Sequence, residues 1–424
     1  MGKLTFLDDI VARQDQSIQD KRERVKLVDH STTGRLRPWA YHKKAIYPIA
    51  KSYERLGMAD IADRMLQCGQ FLKFEACNDQ NCGFKRLKWA NFCRGRGCSM
   101  CQWRKSYRVA VDVRKVCHEA CRCYRGKLRW ILLTLTVRNV RDHKELRETL
   151  SLLSKGWQRM TQRKRVKRAI VGAFRAVEIT VNNEKFKRYT KGKRKGQFVR
   201  DKKGNLVPNE WYGSYHPHIH ALVAVPSSYF KKNYIKQSEW VTLWKQACRL
   251  DYDPNVDVRP IKASRDEEWE KRLRQELASL SSIEQEQYLE LRRMDGAVAE
   301  VSKYATKASD LVASDDEETD RRVWDMHVGL RDKRLLSYTG LLRECWLRLK
   351  REKKVEDVEA KDADLIHIGE DEQPCNCPAC SAPLVEEVYG FFSKDGDYYK
   401  IRSEYKTEIE AKMEAEKDWK KERN

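Results

Sequence analysis

The chain has 424 residues, 41% of them hydrophobic and 35% charged, and 86 Lys and Arg against 63 Asp and Glu leave a net charge of +23 at pH 7. Such a length supports two or three domains with cores of their own, and the charge points to a polyanionic partner. Twelve Trp and eighteen Tyr favour nucleic acid over a membrane surface, because exposed rings stack on unpaired bases. No apolar run approaches the roughly 20 residues that span a bilayer. The first residues, Met1-Gly-Lys-Leu-Thr-Phe-Leu-Asp-Asp9, lack the apolar core of a signal peptide. The expected location is therefore the cytoplasm, without a membrane partner and with the fourteen cysteines reduced or metal-bound.

Residues 1 to about 70 are charged and helical in pattern, with a break at Pro38-Trp-Ala-Tyr41. Cysteines then crowd together: Cys77, Cys82, Cys93, Cys98 and Cys101 have spacings x4, x10, x4 and x2. Cys98-x-x-Cys101 is a zinc knuckle, and either Cys77/Cys82 or Cys82/Cys93 completes four ligands for a structural Zn²⁺, leaving one cysteine spare. Arg94, Arg96 and Arg104, with Trp103 and Lys105, form an expected DNA-contacting surface. A helical stretch over Arg104–Cys123, with Cys117 and Cys121 on its face, leads into the buried-strand pattern Trp130-Ile-Leu-Leu-Thr-Leu-Thr-Val137. Leu146, Leu150, Leu153, Trp157 and Met160 recur every three or four residues as the stripe of an amphipathic helix. Ala176-Val-Glu-Ile-Thr-Val181 alternates as a strand.

Residues 184–204 are a basic arm carrying Gly192, Gly196 and Gly204, with Lys193, Arg194 and Lys195 as DNA contacts near its middle. A helix opened by Ser238 presents Trp240, Leu243, Trp244 and Ala247, and Val256-Asp-Val258 reads as a third strand. Residues 266–295 form a charged helical insertion in which Ser281 and Glu284 have capping-box spacing. A further helix is expected from Ala297 to Leu311, followed by an acidic loop at Asp315–Asp320. Beyond about 352 the chain is charged and poor in core residues until Cys375-Asn-Cys377-Pro-Ala-Cys380, half of a zinc ribbon for which His367 is a candidate further ligand. Domains are expected at 1–125, 126–350 and 351–424.

Histidine is scarce, with 9 in the chain, yet His216, His218 and His220 sit at alternate positions ahead of Ala221-Leu-Val-Ala-Val225. Side chains alternate along a strand, so the three imidazoles share a face and suit a metal ion. Glu178 lies on the strand before the basic arm, and if the two strands pair its carboxylate reaches that face. Two imidazoles and one carboxylate leave coordination positions open, as metal-assisted chemistry on phosphate requires. Glu300, Tyr304 and Lys307, spaced i, i+4 and i+7, share one helix face. A tyrosine with a free pKa near 10 becomes an effective nucleophile only with help, which a metal on the phosphate provides.

Four ordered motifs together resemble the HUH endonucleases, specifically the replication initiators of bacterial rolling-circle plasmids. They are Leu133-Thr-Leu-Thr136, His216-Pro-His-Ile-His-Ala-Leu222, Glu300-Val-Ser-Lys-Tyr-Ala-Thr-Lys307 and Lys333-Arg-Leu-Leu-Ser-Tyr-Thr-Gly340. The stretch Phe92–Arg104 is similar to the cysteine-rich leader of one branch. The resemblance implies an α+β fold, with a central antiparallel sheet of ferredoxin-like or RNA-recognition type, although the local alternation of strands and helices suggests α/β. It implies His218, His220 and Glu178 as ligands of Mg²⁺ or Mn²⁺, with Tyr304 as nucleophile, Glu300 activating water and Lys307 assisting. It also implies single-stranded or extruded plasmid origin DNA as substrate and a host helicase and polymerase as partners. A transposase of the same superfamily and a non-catalytic zinc-containing DNA-binding protein stay open as alternatives.

Overall fold

Pro38 stands just ahead of the first described helix, α1 (Trp39–Lys44), where its missing N–H costs nothing and its fixed φ suits the turn. The computed structural model describes residues 25–31, 35–79, 81–190, 192–261, 271, 275, 294–303, 307–368 and 376–401. After α1 come α2 (Tyr47–Arg55), α3 (Ala59–Gln67), β1 (Phe71–Cys77), β2 (Lys85–Ala90) and the long α4 (Ser99–Cys123). The middle of the chain runs β3 (Leu128–Thr136), α5 (His143–Gln162), α6 (Lys164–Ala169), β4 (Gly172–Val181), β5 (Tyr215–Pro226), α7 (Tyr229–Lys232), α8 (Gln237–Cys248) and β6 (Val256–Pro260). The last part runs α9 (Asp295–Val301), α10 (Ala308–Leu311), α11 (Asp316–Gly329), β7 (Leu336–Gly340), α12 (Leu341–Arg351), β8 (Leu384–Phe392) and β9 (Asp397–Lys400).

The chain divides into two units, one of Met1–Glu54, Met58–Cys101 and Leu365–Asn424, the other of Arg55–Gly57 and Gln102–Asp364. In the second unit five strands form one antiparallel sheet in the order β6-β3-β5-β4-β7. The α+β antiparallel arrangement is therefore the one that forms, and the α/β suggestion of the local alternation does not hold. Strand β5 is buried on both sides, which explains its unbroken apolar run after His220. One face carries Trp130, Phe174, Ala176, Leu222 and Ala224 against Val109, Val113, Val116 and Cys117 of α4, Val298 and Val301 of α9, and Leu342, Cys345 and Leu349 of α12. On the other side α5 packs on β5 and α8 on β6. The stripe Leu146, Leu150, Leu153, Trp157 and Met160 of α5 is fully buried, as its spacing predicts.

Three expectations change. The division at 125 and 350 differs from the structure because Val109–Ala120 and Val355 and Val358 belong to the core of the second unit, while β8 pairs with β1 in the first. The single helix over 297–311 is two: α9 stops at Val301, and Lys307 stands before α10 with φ −73° and ψ 135°. The acidic loop is a helix start, where Asp315 caps α11 by accepting from the Glu318 N–H at 2.8 Å and three acids follow in the first turn, next to the positive end of the dipole. The expected capping box at Ser281 and Glu284, and nearly all of 266–295, lie outside the described residues.

The first unit has its own antiparallel sheet, β2-β1-β8-β9. Phe71, Phe74, Tyr389 and Tyr398 fill its interior, with Trp39 edge-on to Phe74 at 5.9 Å. Lys73, Lys85, Arg86, Lys88 and Lys400 form ion pairs with Glu75, Glu386 and Glu387 across the strands.

In the second unit, β7 meets β4 through two facing glycines, Gly172 and Gly340. Gly340 has φ 57° and ψ −142°, and an added Cβ would collide with the Val171 carbonyl oxygen and lie 2.9 Å from the Gly172 Cα. Only glycine makes this turn from β7 into α12 without strain. Gly340→Ala is expected to lower the urea midpoint by the equivalent of about 1–3 kcal/mol. Gly296→Ala, where an added Cβ touches nothing within 4 Å in helix α9, serves as the control and should not lower it.

Candidate metal centre and its surroundings

Register places the centre. On β5, His218 lies opposite Glu178 of β4 and Thr136 of β3, and His220 opposite Ala176 and Thr134. By the period-two alternation of strands all of them share the face whose Ala176, Leu222 and Ala224 pack against α4, α9 and α12. The Nε2 atoms of His218 and His220 face each other at 3.1 Å. The Glu178 Oε2 lies 3.1 Å from His220 Nε2 and 3.5 Å from His218 Nε2. All three side chains are buried, and their ligand atoms lie within 4.8 Å of one another.

The far sides of both rings are engaged. His218 Nδ1 donates to the His216 carbonyl at 3.0 Å, and His220 Nδ1 hydrogen-bonds the Thr134 hydroxyl at 3.1 Å. With Nδ1 occupied, each ring turns Nε2 inward, which is how protein metal sites orient imidazoles. Burial works against the charge of Glu178, but hydrogen bonds and charge from His218 and His220 outweigh it and hold the carboxyl well below its ordinary range. An anionic carboxylate and two inward Nε2 atoms at ligand spacing fit a divalent cation.

Glu300, on α9, brings Oε1 to 3.6 Å from His220 Nε2 and pairs with Lys303 at 2.5 Å. Tyr304 lies outside the described residues. Lys307 is exposed and precedes α10, so Glu300 and Lys307 do not share one continuous helix as their spacing suggested. His216 is half-buried, its ring centroid 5.2 Å from that of His218, and burial followed by the His218 charge lowers its pKa. Its part in the centre is played by its carbonyl.

The elements around the centre are held by buried polar groups that sequence reading passed over. Tyr215 immediately precedes the histidines, and its hydroxyl donates to Asp325 of α11 at 2.7 Å. The backbone N–H and Nδ1 of His143 meet the other Asp325 oxygen at 3.1 and 3.0 Å, and Arg321 Nη1 reaches Asp325 at 3.1 Å. Burial and the Asp325 charge push the Tyr215 phenol far up, so it stays a donor. Arg322, fully buried, pairs with Glu318 at 2.7 Å and donates to the Asn183 side chain at 2.6 Å and the Asp310 carbonyl at 3.0 Å. These bonds tie α11 to both the exit of β4 and α10. The available signal was the acidic run itself, which reads as a helix N-terminus once Asp315 is taken as a cap.

The five cysteines of the N-terminal cluster divide between two sets. Cys93, Cys98 and Cys101 converge with Cys68, which the spacing argument overlooked because it stands 25 residues before Cys93. Sulfur separations are 3.5 Å for Cys68–Cys101 and Cys68–Cys98 and 3.7 Å for Cys93–Cys101. The backbone N–H groups of Cys93 and Arg94 donate to Cys68 and Cys101 sulfurs at 3.4 and 3.1 Å. Cys77 and Cys82 group with Cys377 and Cys380, and His367 is not among these ligand atoms. Cys375 lies outside the described residues. Cys117 is a buried core residue on α4, as expected of a helix face.

Among the expected DNA contacts, Arg94 is exposed and Arg96 half-buried, but Arg104 is only 4% exposed. Its guanidinium lies 5.7 Å from the Trp103 and Tyr107 ring centroids, so it serves packing and not an open surface. The arm is a folded projection. Bridges Phe186–Pro208, Arg188–Phe198 and Arg200–Leu206 hold it, Arg188 covers Phe198 at 3.9 Å, and Lys193, Arg194 and Lys195 are exposed near its tip. Among the described residues no helix is long and apolar enough to cross a membrane.

A model of a family described as replication protein matches residues 84–382. The chain is 34% identical over 355 residues to a "Protein rep" from Bacillus amyloliquefaciens, covering 82% of this chain and 90% of that one. It is 34% identical over 309 residues to a "Protein rep" from a Bacillus species, covering 72% and 84%. A "Protein rep" from Streptococcus pneumoniae is 31% identical over 349 residues, covering 81% and 88%. No solved structure matches the chain.

Thr134→Val keeps the shape of the residue opposite His220 but removes the hydroxyl that fixes its Nδ1. Affinity for Mn²⁺, measured by titration calorimetry, is expected to fall by about 10–100-fold with the circular dichroism spectrum unchanged. An unaltered affinity would mean that the hydroxyl does not orient the ring.

Proposed function

The chain belongs to the replication protein family of rolling-circle plasmids, and on that premise we propose that it nicks one strand of a plasmid origin and later rejoins it. The observation that carries this reading is the convergence of Glu178, His218 and His220 on one buried point, with Glu300 at its edge. Mg²⁺ or Mn²⁺ held by these three side chains would polarise the scissile phosphate and withdraw charge from it.

Tyr304, from the motif Glu300-Val-Ser-Lys-Tyr-Ala-Thr-Lys307, is the nucleophile. Its oxygen forms a bond to phosphorus, the bond from phosphorus to the 3′ oxygen breaks, and the phenolic proton leaves. The products are a 5′-phosphotyrosine and a free 3′-OH, which primes a host polymerase while a host helicase opens the duplex. The phosphodiester energy is kept in the tyrosine link, so rejoining needs no ATP. Lys307 offsets the charge of the phosphate or phenolate. Glu300 lies where it can take a proton from water in a terminating cleavage, and its other oxygen pairs with Lys303. The site of action is the bacterial cytoplasm.

Binding rests on charge. Lys193, Arg194 and Lys195 on the arm track the phosphates of single-stranded or extruded origin DNA, and in the other unit Arg94 and Arg96, beside the cysteines, are further DNA contacts. Cys68, Cys93, Cys98 and Cys101 are the ligand set of a structural Zn²⁺, their sulfurs spaced as four thiolates are around one ion.

The test is a denaturing gel of protein incubated with Mn²⁺ and single-stranded origin DNA. A covalent adduct is expected from the wild type and none from Tyr304→Phe or from His218→Ala/His220→Ala. Binding with no adduct, unchanged by Tyr304→Phe, would leave a non-catalytic DNA-binding protein. Replacing Lys193, Arg194 and Lys195 together by Ala should weaken binding and flatten the slope of log affinity against log salt by about 2, near 0.7 per phosphate contact on single strands.

A further inference from the structure

The pair Cys77 and Cys82 has no place in the nicking reaction or in the first thiol cluster. Cys77 ends β1 and Cys82 sits in the turn before β2. The other pair, Cys377 and Cys380, lies about 300 residues later, just ahead of β8. The structure brings the two together: Cys77 Sγ is 3.3 Å from Cys380 Sγ, Cys82 Sγ is 3.5 Å from Cys377 Sγ, and all four lie within 4.8 Å of one another.

These separations are too long for disulfides, whose sulfurs are about 2.05 Å apart. They are close to the spacing of four sulfurs around one ion at about 2.3 Å. The backbone around each pair is shaped to match. The Cys77 N–H donates to the Phe84 carbonyl at 2.9 Å, closing the turn that carries Cys82. In the other turn Ser381 takes φ 61° directly after Cys380, its N–H donates to the Cys377 carbonyl at 2.8 Å, and the Cys377 N–H donates to the Ala382 carbonyl at 2.8 Å. Left-handed backbone after the second cysteine folds Cys-x-x-Cys into a knuckle with both sulfurs on one side. A non-glycine residue adopts it at a cost that something else must offset.

We propose that Cys77, Cys82, Cys377 and Cys380 bind a second Zn²⁺, forming a zinc ribbon that fastens the C-terminal strands to the N-terminal sheet. The four thiols lose their protons to become the ligands, and no oxidant or reductant is involved. The site sits where β8 joins β1: Cys77 is registered with Leu384, and the Asn78 N–H donates to the Pro383 carbonyl at 3.0 Å. The strand ladder of β1 and β8 thus starts at the metal, and the ion closes the long loop that the rest of the chain makes between Cys82 and Cys377. Chain entropy opposes closing a loop of this length, and a ligand set drawn from both ends counters that. The sheet beside it is crossed by ion pairs that use its lysines and arginines internally, so the ribbon's work is to hold the fold.

This proposal is independent of the nicking chemistry, and metal analysis of the full-length chain tests it. Purified without chelator, the wild type should contain two zinc per chain and little iron. Cys82→Ser and Cys377→Ser, altered at opposite ends of the site, should each bring the content to one. Limited proteolysis of either variant should then release the segment bearing β8 and β9 at least tenfold faster. Cys380→His should retain two zinc, because three thiolates and an imidazole also make a structural zinc site, whereas Cys380→Ser should not. A zinc content that Cys82→Ser and Cys377→Ser leave unchanged, iron in place of zinc, or a disulfide in mass spectra of the metal-free native protein would each overturn the proposal.

Discussion

The second unit depends on the register of one strand. β5 runs between β3 and β4, and its alternation puts His216, His218 and His220 on one face while Ile219, Ala221 and Val223 enter the core on the other. A slip by one residue would turn the imidazoles into the apolar layer under α5 and carry apolar side chains to the centre, so burial of both faces fixes the register. Proline at position 217 is compatible with this because it is near the start of the strand, just beyond the last pair with β3 at His218. Glu178 and Thr134 then become partners of the histidines through strand pairing alone.

Rigidity around the centre comes from a few buried polar groups. Asp325 collects Tyr215, His143 and Arg321, and Arg322 spans Glu318, Asn183 and Asp310. Removing any partner would leave a buried charge or donor unpaired, which is far more costly than the net gain of one hydrogen bond. These groups sit on α11 and at strand ends, so the end of the sheet that carries Glu178, His218 and His220 is braced from outside the cluster. The Nε2 atoms of His218 and His220 and the Glu178 carboxylate are left facing one another.

The cysteines follow a different logic. Their local spacing announces knuckles, but a four-ligand site needs two half-sites, and the chain has more than one way to combine them. Cys68 precedes the obvious cluster, and Cys377 and Cys380 follow nearly 300 residues after Cys82. Which pairs meet is decided by the pairing of β1 with β2 and β8, and no spacing rule contains that information.

By itself the sequence determined the periodic features. The stripe of α5, the apolar run of β5, the shared face of the histidines, Glu178 on the neighbouring strand and the charge that calls for nucleic acid are all local in the chain, and hydrophobic period and residue chemistry report them directly. The tertiary structure decided what depends on distant residues. It divided the cysteines between two sites, returned β8 and β9 to the N-terminal sheet, buried Arg104 between rings, and made the acidic run at 315–320 the start of a helix whose Asp325 and Arg322 brace the strand ends. Each of these outcomes is set by which surfaces become buried together, a quantity that exists only once the whole chain has packed.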